Sequence, residues 1–257
     1  MLHFEQTSLI RDGKRVIDGL TVSAFPGYLT TILGPNGAGK SSLLALAAGE
    51  ISPSSGRVLL HADALSGLPA ARLARCRAML PQQSTLEFDY TVGELVLLGA
   101  NPFPDIPTRE ITQLANSVMQ LLDAASLVER RYLALSGGEK QRVQLARVLV
   151  QACAAAALGP ALLLLDEPIA SLDPRHQHLL LAGLHQLCRN VPLAIVASLH
   201  DVNLALHYAD QAWLLNQGKL IAAGPPRQAL SVEALSTVFE LPVRQLGDQL
   251  LFTSPLQ

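Results

Sequence analysis

Charge and thiols are both scarce in this sequence. Only 16% of its 257 residues are Asp, Glu, Lys or Arg, and 19 basic against 21 acidic residues leave a net charge of −2. With no basic excess to neutralise a phosphodiester backbone, nucleic acid is not expected as a partner. The cysteines Cys76, Cys153 and Cys188 stand far apart without C-x-x-C spacing, which reads as free thiols in a reducing compartment. Charges fall too early in "MLHFEQTSLIRDGK" for a signal peptide. An unbroken apolar run of spanning length is also missing. The one candidate, residues 148–168, is interrupted by Gln151 and by Gly159-Pro160 and ends in two carboxylates, whereas a bilayer span needs about 20 apolar residues. It reads as a helix end, a turn and a buried strand. No internal repeat or low-complexity tail is visible.

What is present is apolar: 49% of residues are hydrophobic and the mean hydropathy is +0.30, so part of the surface is expected to be covered by a partner. The length suits one large α/β domain, or one domain with a subdomain. Inside this background lies "TTILGPNGAGKSSLLALAAG", residues 30–49. Gly34, Pro35, Asn36, Gly37, Ala38, Gly39, Lys40, Ser41 and Ser42 form the phosphate-loop pattern between an expected strand and an expected helix stopped by Gly49. Glycines let backbone N–H groups wrap an anion, and the helix adds its positive end. Lys40 would reach the β- and γ-phosphates, and Ser41 would place its hydroxyl on Mg²⁺.

A second anchor is "ALLLLDEP", residues 161–168, an apolar run of the kind that forms a fully buried parallel strand. Asp166 and Glu167 at its end would sit where open α/β sheets bind ligands. Asp166 suits the water shell of Mg²⁺, and Glu167 suits polarising an attacking water. Ser136, Gly137 and Gly138 open a helix whose buried side is Val143, Ala146, Leu149 and Val150, and Glu139 completes a capping box with Ser136. Paired glycines at a helix start make a second candidate anion site.

These segments together resemble the nucleotide-binding subunits of ABC transporters, and the resemblance covers nearly the whole chain. Residues 34–42 match the Walker A loop, Gln82 in "LPQQ" the Q-loop, "LSGGE" the signature, and residues 162–167 Walker B with its catalytic glutamate. "SLD", residues 171–173, matches the D-loop, and His200 in "SLHD" the switch histidine. The resemblance implies an ABC-type P-loop NTPase of α/β class with a mixed core sheet and an inserted helical subdomain: residues 1–80 and 142–257 as catalytic core, 81–141 as the helical part. It implies ATP and Mg²⁺ as ligands, with Glu167, His200 and Gln82 catalytic and Ser41, Gln82 and Asp166 around the metal. It further implies a homodimer sandwiching two ATP molecules, so that Ser136, Gly137, Gly138 and Asp173 complete the partner's site. Where relatives stack adenine on an aromatic, this chain has Ile10 and Arg11; the plane of Arg11 or an aliphatic stem is expected to stack on the base, with Val16 packing nearby.

No spanning segment being visible, the pore is expected to be two separate permease subunits, with the chain peripheral on the cytoplasmic face of a bacterial inner membrane. The segments 80–99 and 199–230 resemble metal-chelate importers. Ser136 and Asp166 are 30 positions apart, several more than in typical members, and the spacer in "QACAAAALGPA" followed by "HQH" resembles haem-importer ATPases. Haem import, fed by a periplasmic haem-binding protein, is therefore expected. A ferric-siderophore or cobalamin importer is the alternative, and a soluble non-transport ABC ATPase is a more distant one. "STLEFDYTV", residues 84–92, would face the permease. His176 and His178, two positions apart, share no helix face and are expected to be solvated. The basic cluster 70–77 is expected to be an exposed helix face.

Overall fold

The computed structural model describes residues 1–82 and 88–253. The chain opens with the antiparallel pair β1 (Leu2–Arg11) and β2 (Lys14–Ala24), then enters the buried strand β3 (Leu29–Leu33) and helix α1 (Lys40–Ala48). Next come β4 (Ser55–Leu60), β5 (Asp63–Ala64), the short α2 (Ala70–Ala74) and β6 (Arg77–Leu80). A helical stretch follows: α3 (Val92–Leu97), α4 (Thr108–Leu121) and the 22-residue α5 (Gly137–Leu158). The chain then alternates through β7 (Ala161–Leu165), α6 (Pro174–Asn190), β8 (Leu193–Ser198), α7 (Val202–Tyr208), β9 (Gln211–Asn216) and β10 (Lys219–Gly224). It closes with α8 (Pro226–Ala229), α9 (Val232–Phe239) and the hairpin β11 (Val243–Leu246) and β12 (Gln249–Phe252).

The central sheet has the order β10-β9-β3-β8-β7-β6, parallel except for β10 at one edge. Every residue of β3, β7 and β8 is buried, because the sheet is covered on both faces, and this removes the polar alternation of a half-exposed strand. Successive side chains still point to opposite sides. Leu163, Leu165, Ile195 and Ala197 join the core built with α4, α5 and α6; Leu162, Leu164, Ala194 and Val196 join the one built with α1 and the sheet β2-β1-β4-β5. Phe4 on β1 meets Trp213 on β9 edge to face at 6.3 Å, joining the two sheets. Each fully buried leucine in these layers contributes about 1.5–3 kcal/mol.

Residues 148–168 form, as expected, a helix end, a turn and a buried strand. Residues 151–158, in the expected spacer, are further turns of α5, with Ala152, Ala154, Ala155 and Ala156 buried along it. No helix among the described residues is long and apolar enough to cross a membrane. α5 runs unbroken through residues 141 and 142. The turn between β9 and β10 is a two-residue hairpin with Gln217 and Gly218 both left-handed, φ 47° and 78°, the geometry that matches strand twist.

Two sequence expectations are corrected. The basic cluster 70–77 is not one helix face: α2 ends at Ala74, and Arg77 lies half-buried in β6. Its exposed members are paired, Arg72 with Asp63 at 2.6 Å and Arg75 with Asp105 at 3.2 Å. His176 is not solvated. Its side chain is only 15% exposed and bonds Asp173 and Arg142, because Asp123 and α5 pack over the start of α6. His178 is exposed on another face, where its Nδ1 lies 2.7 Å from the Tyr208 hydroxyl. Among the described residues no group of three or more His, Cys, Asp or Glu could hold a metal.

Candidate active site

In a parallel sheet ordered β3-β8-β7-β6, the loops leaving the C-terminal ends of neighbouring strands emerge side by side. Here those loops carry residues 34–39, His200, the pair Asp166 and Glu167, and Gln82. The phosphate-loop backbone requires glycine at two places. Gly34 has φ 148°, and a Cβ there would lie 2.2 Å from the Leu215 carbonyl oxygen; at Gly39, with φ 105°, it would lie 2.9 Å from that of Val16. Gly218 N–H donates to the Ala38 carbonyl at 3.0 Å, so the β9–β10 turn pins the loop from behind. α1 then starts without a side-chain cap and without an acidic residue in its first turn. Its free N–H groups and positive end are left for an anion.

Val16, Asn36, Gly37, Gly39, Lys40, Ser41, Ser42, Gln82 and Glu167 line an open cleft of about 340 Å³. Lys40 is buried at its rim, its Nζ donating to the carbonyls of Gly34 at 2.7 Å and Pro35 at 3.1 Å. Burial pulls the Lys40 pKa below its ordinary value, and the charges of Glu167 and then Asp166 work against that shift. Asp166 is 4% exposed and accepts a hydrogen bond from the Ser198 hydroxyl at 2.7 Å. The same Ser198 oxygen accepts the Glu167 backbone N–H at 2.8 Å. Glu167 takes the left-handed φ of 50°, a conformation costly for a residue with a side chain. Its carboxylate lies 2.7 Å from His200 Nε2. Burial alone would raise the Glu167 pKa, but hydrogen bonds from His200 and Gln82, and the charges of His200 and Lys40, hold it below the usual glutamate value.

Gly37, with φ 80° and no atom within 4 Å of the position a Cβ would take, leaves a space at the loop's crest that fits a phosphate oxygen. The oxygens of Ser41, Asp166 and Gln82 are of the hard type that suits Mg²⁺. Such a cleft can bind a polyphosphate, offset its charge with Lys40 and present Glu167 to a water.

The structure does not bring every candidate into this cleft. Arg11 lies exposed at the turn of the β1–β2 hairpin and does not line it, whereas Val16 does. Ser136, Gly137, Gly138 and Asp173 do not line it either. Ser136 caps α5 through the expected box: its N–H donates to Glu139 Oε2 at 2.8 Å, and its Oγ accepts from Glu139 N–H at 3.4 Å. Asp173 caps α6, accepting the His176 N–H at 3.0 Å. The expected permease-facing segment 84–92 lies partly outside the described residues, which resume at Phe88, itself 70% exposed. Ser198 escaped the sequence reading. Its one signal is a hydroxyl ending the apolar run "LAIVAS".

Comparison with known proteins adds three findings. A family described as "ABC transporter" matches residues 17–170. Two proteins named "Hemin import ATP-binding protein HmuV" align along nearly the whole chain. That of Gloeobacter violaceus is 46% identical, over 89% of this chain and 83% of its own length. That of Pseudomonas aeruginosa is 42% identical, over 95% and 94%. Among solved structures, a chain of an inward-facing ABC transporter assigned to the metal-chelate type superposes with a TM-score of 0.76 at 25% identity, over 98% of this chain and 95% of that one.

Proposed function

The chain belongs to the ABC transporter family, and on that premise we propose that it is the ATP-hydrolysing subunit of a bacterial haem importer. The observation that carries the cargo is identity above 40% to proteins named for hemin import, over most of both chains. The site geometry supports the chemistry. The N–H groups of residues 36–41 and the Lys40 ammonium bind the β- and γ-phosphates of ATP and stabilise the charge that develops as the γ-phosphoryl leaves. Glu167 orients the attacking water and accepts its proton; His200 holds that carboxylate in place, 2.7 Å away. Ser41, Asp166 and Gln82 would hold Mg²⁺, which would supply positive charge to offset that of the phosphates. Val16 borders the adenine side of the cleft.

Ser136, Gly137, Gly138 and Asp173 serve the site of a second copy, with the γ-phosphate held between α1 of one copy and α5 of the other. Binding then favours the closed pair and hydrolysis releases it. Residues 81–141 act as the helical subdomain that docks on the two permease subunits at the membrane, and a periplasmic haem-binding protein delivers cargo to the far side. Phe88, Leu97, Val128 and Leu133, all exposed apolar residues of that segment, supply surface for the contact. Reconstitution with the permease in liposomes, comparing haem, a ferric siderophore and cobalamin, tests the cargo. Haem delivered by its carrier should stimulate hydrolysis; a response confined to either other cargo would reassign it.

A further inference from the structure

The half-buried His176 has no part in the chemistry described so far, and its surroundings give it one. Arg142 lies on α5, two turns beyond Ser136, and its Nη1 is 2.6 Å from His176 Nε2. A guanidinium only donates, so Nε2 accepts and the ring proton sits on Nδ1. Nδ1–H then donates to Asp173 Oδ2 at 2.6 Å. The histidine thus joins the signature helix to the last residue of "SLD". Asp123, beyond the end of α4, lies 3.4 Å from Nε2 and is itself bonded by Arg175 at 2.9 Å.

Three further contacts fasten the same loop. Gln177 Nε2 donates to the carbonyls of Ile169 at 3.2 Å and Leu172 at 3.0 Å. Gln141 Nε2, from α5, donates to the Pro168 carbonyl at 3.2 Å. Gly138 sits so close to the loop that a Cβ on it would lie 3.1 Å from the Ser171 carbonyl oxygen. Residues 168–173, which directly follow Glu167, are therefore braced to the first turns of α5 by side chains from both helices.

We propose that His176 is a positioning residue: through Asp173 and Arg142 it makes the loop after Glu167 and the N-terminus of α5 one rigid body. Glu167 serves the subunit's own ATP, and Ser136, Gly137 and Gly138 serve the partner's, so the brace ties the two sites together within each copy. The inference rests on the two-copy reading above.

The test measures ATPase kinetics for His176→Ala, Arg142→Met and the double variant, together with ATP-driven dimerisation of each in a Glu167→Gln background. Each single change should lower kcat about fivefold to tenfold, the net size of one lost hydrogen bond, and leave KM for ATP nearly unchanged. The double variant should be no worse than either single one, because both cut the same chain of bonds. Arg142→Lys, which still offers an N–H to Nε2, should recover much of the loss. Unchanged kcat in folded His176→Ala, or additive losses in the double variant, would overturn the brace. A parent Glu167→Gln protein that fails to dimerise on ATP would instead overturn the two-copy reading; the brace is then judged by the non-additivity of kcat.

Discussion

Two helix N-termini in this chain end differently. α1 begins with Gly39, has no side-chain cap and no acidic residue in its first turn, and opens into the cleft that holds Lys40, Gln82 and Glu167. α5 begins with Ser136, is closed by the reciprocal box with Glu139, and carries an ion pair from Glu139 to Arg130 at 2.6 Å. The first leaves its N–H groups unsatisfied for a ligand. The second satisfies part of its own, so it stands exposed without a large cost. The contrast teaches that the chain opens one helix start into a cleft and leaves another capped and exposed, which the two-copy proposal takes as donors for a partner's site.

The largest effect should come from the assembled side. Glu167→Gln keeps the side chain's shape and removes its basicity, so kcat should fall by about 10²-fold or more while ATP binding persists. Turnover measured beside nucleotide affinity checks this; near-normal hydrolysis would move the catalytic base elsewhere. A smaller loss, about tenfold in kcat, is expected for Ser198→Ala. It leaves the buried Asp166 without its hydroxyl donor and the Glu167 N–H without an acceptor. If Ser198→Ala keeps full kcat, the two carboxylates do not depend on that bridge.

On the other side of the comparison, Glu139→Gln retains a capping residue and discards a negative charge from the donor end of α5. The Glu139 carboxylate is held below its usual pKa, first by the Ser136 backbone and hydroxyl and then by Arg130, so it is ionised at neutral pH. Its replacement should strengthen ATP-driven association about twofold to fivefold; weaker association would show that the carboxylate assists the donors. The finest distinction is in pH. Glu167 is depressed below 4.5, so the stability its ionised form contributes is present above the unfolded value and is lost as pH falls through the lower folded one. Removing the His200 bond by His200→Ala should raise that ionisation. A carboxyl NMR titration reads the direction, and an unmoved midpoint would contradict the pairing.

How much of this was legible depended on whether the cause is local. The phosphate loop could be read because its glycines answer to backbone sterics within a few residues, and "ALLLLDEP" because a doubly covered strand has no polar face. The capping box of Ser136 and Glu139 is equally local. Ser198 gains its role only once β8 lies beside β7, a pairing 32 positions apart in sequence. The solvated reading of His176 fails because helical spacing says nothing of Arg142 on α5 or of Asp123 in the turn after α4. Arg11 is expected as a base contact from its place near the end of β1, and that role stays a proposal. It is the last residue of β1, paired with Lys14 at the exposed hairpin turn. Strand order, which sets the whole site, is a property of tertiary packing.

The measurement that bears most directly on the two helix ends is complementation in a mixed dimer. A Lys40→Ala subunit has a damaged phosphate loop and intact donors on α5; a Ser136→Arg subunit has the reverse. If each site is built from α1 of one copy and α5 of the other, the mixed dimer gathers both lesions into one site and leaves its second site whole. ATPase activity in the mixture should then rise above that of either variant alone. Activity no higher than the mean of the two separate variants, or hydrolysis by a monomer with first-order dependence on protein concentration, would show that each copy works from its own residues.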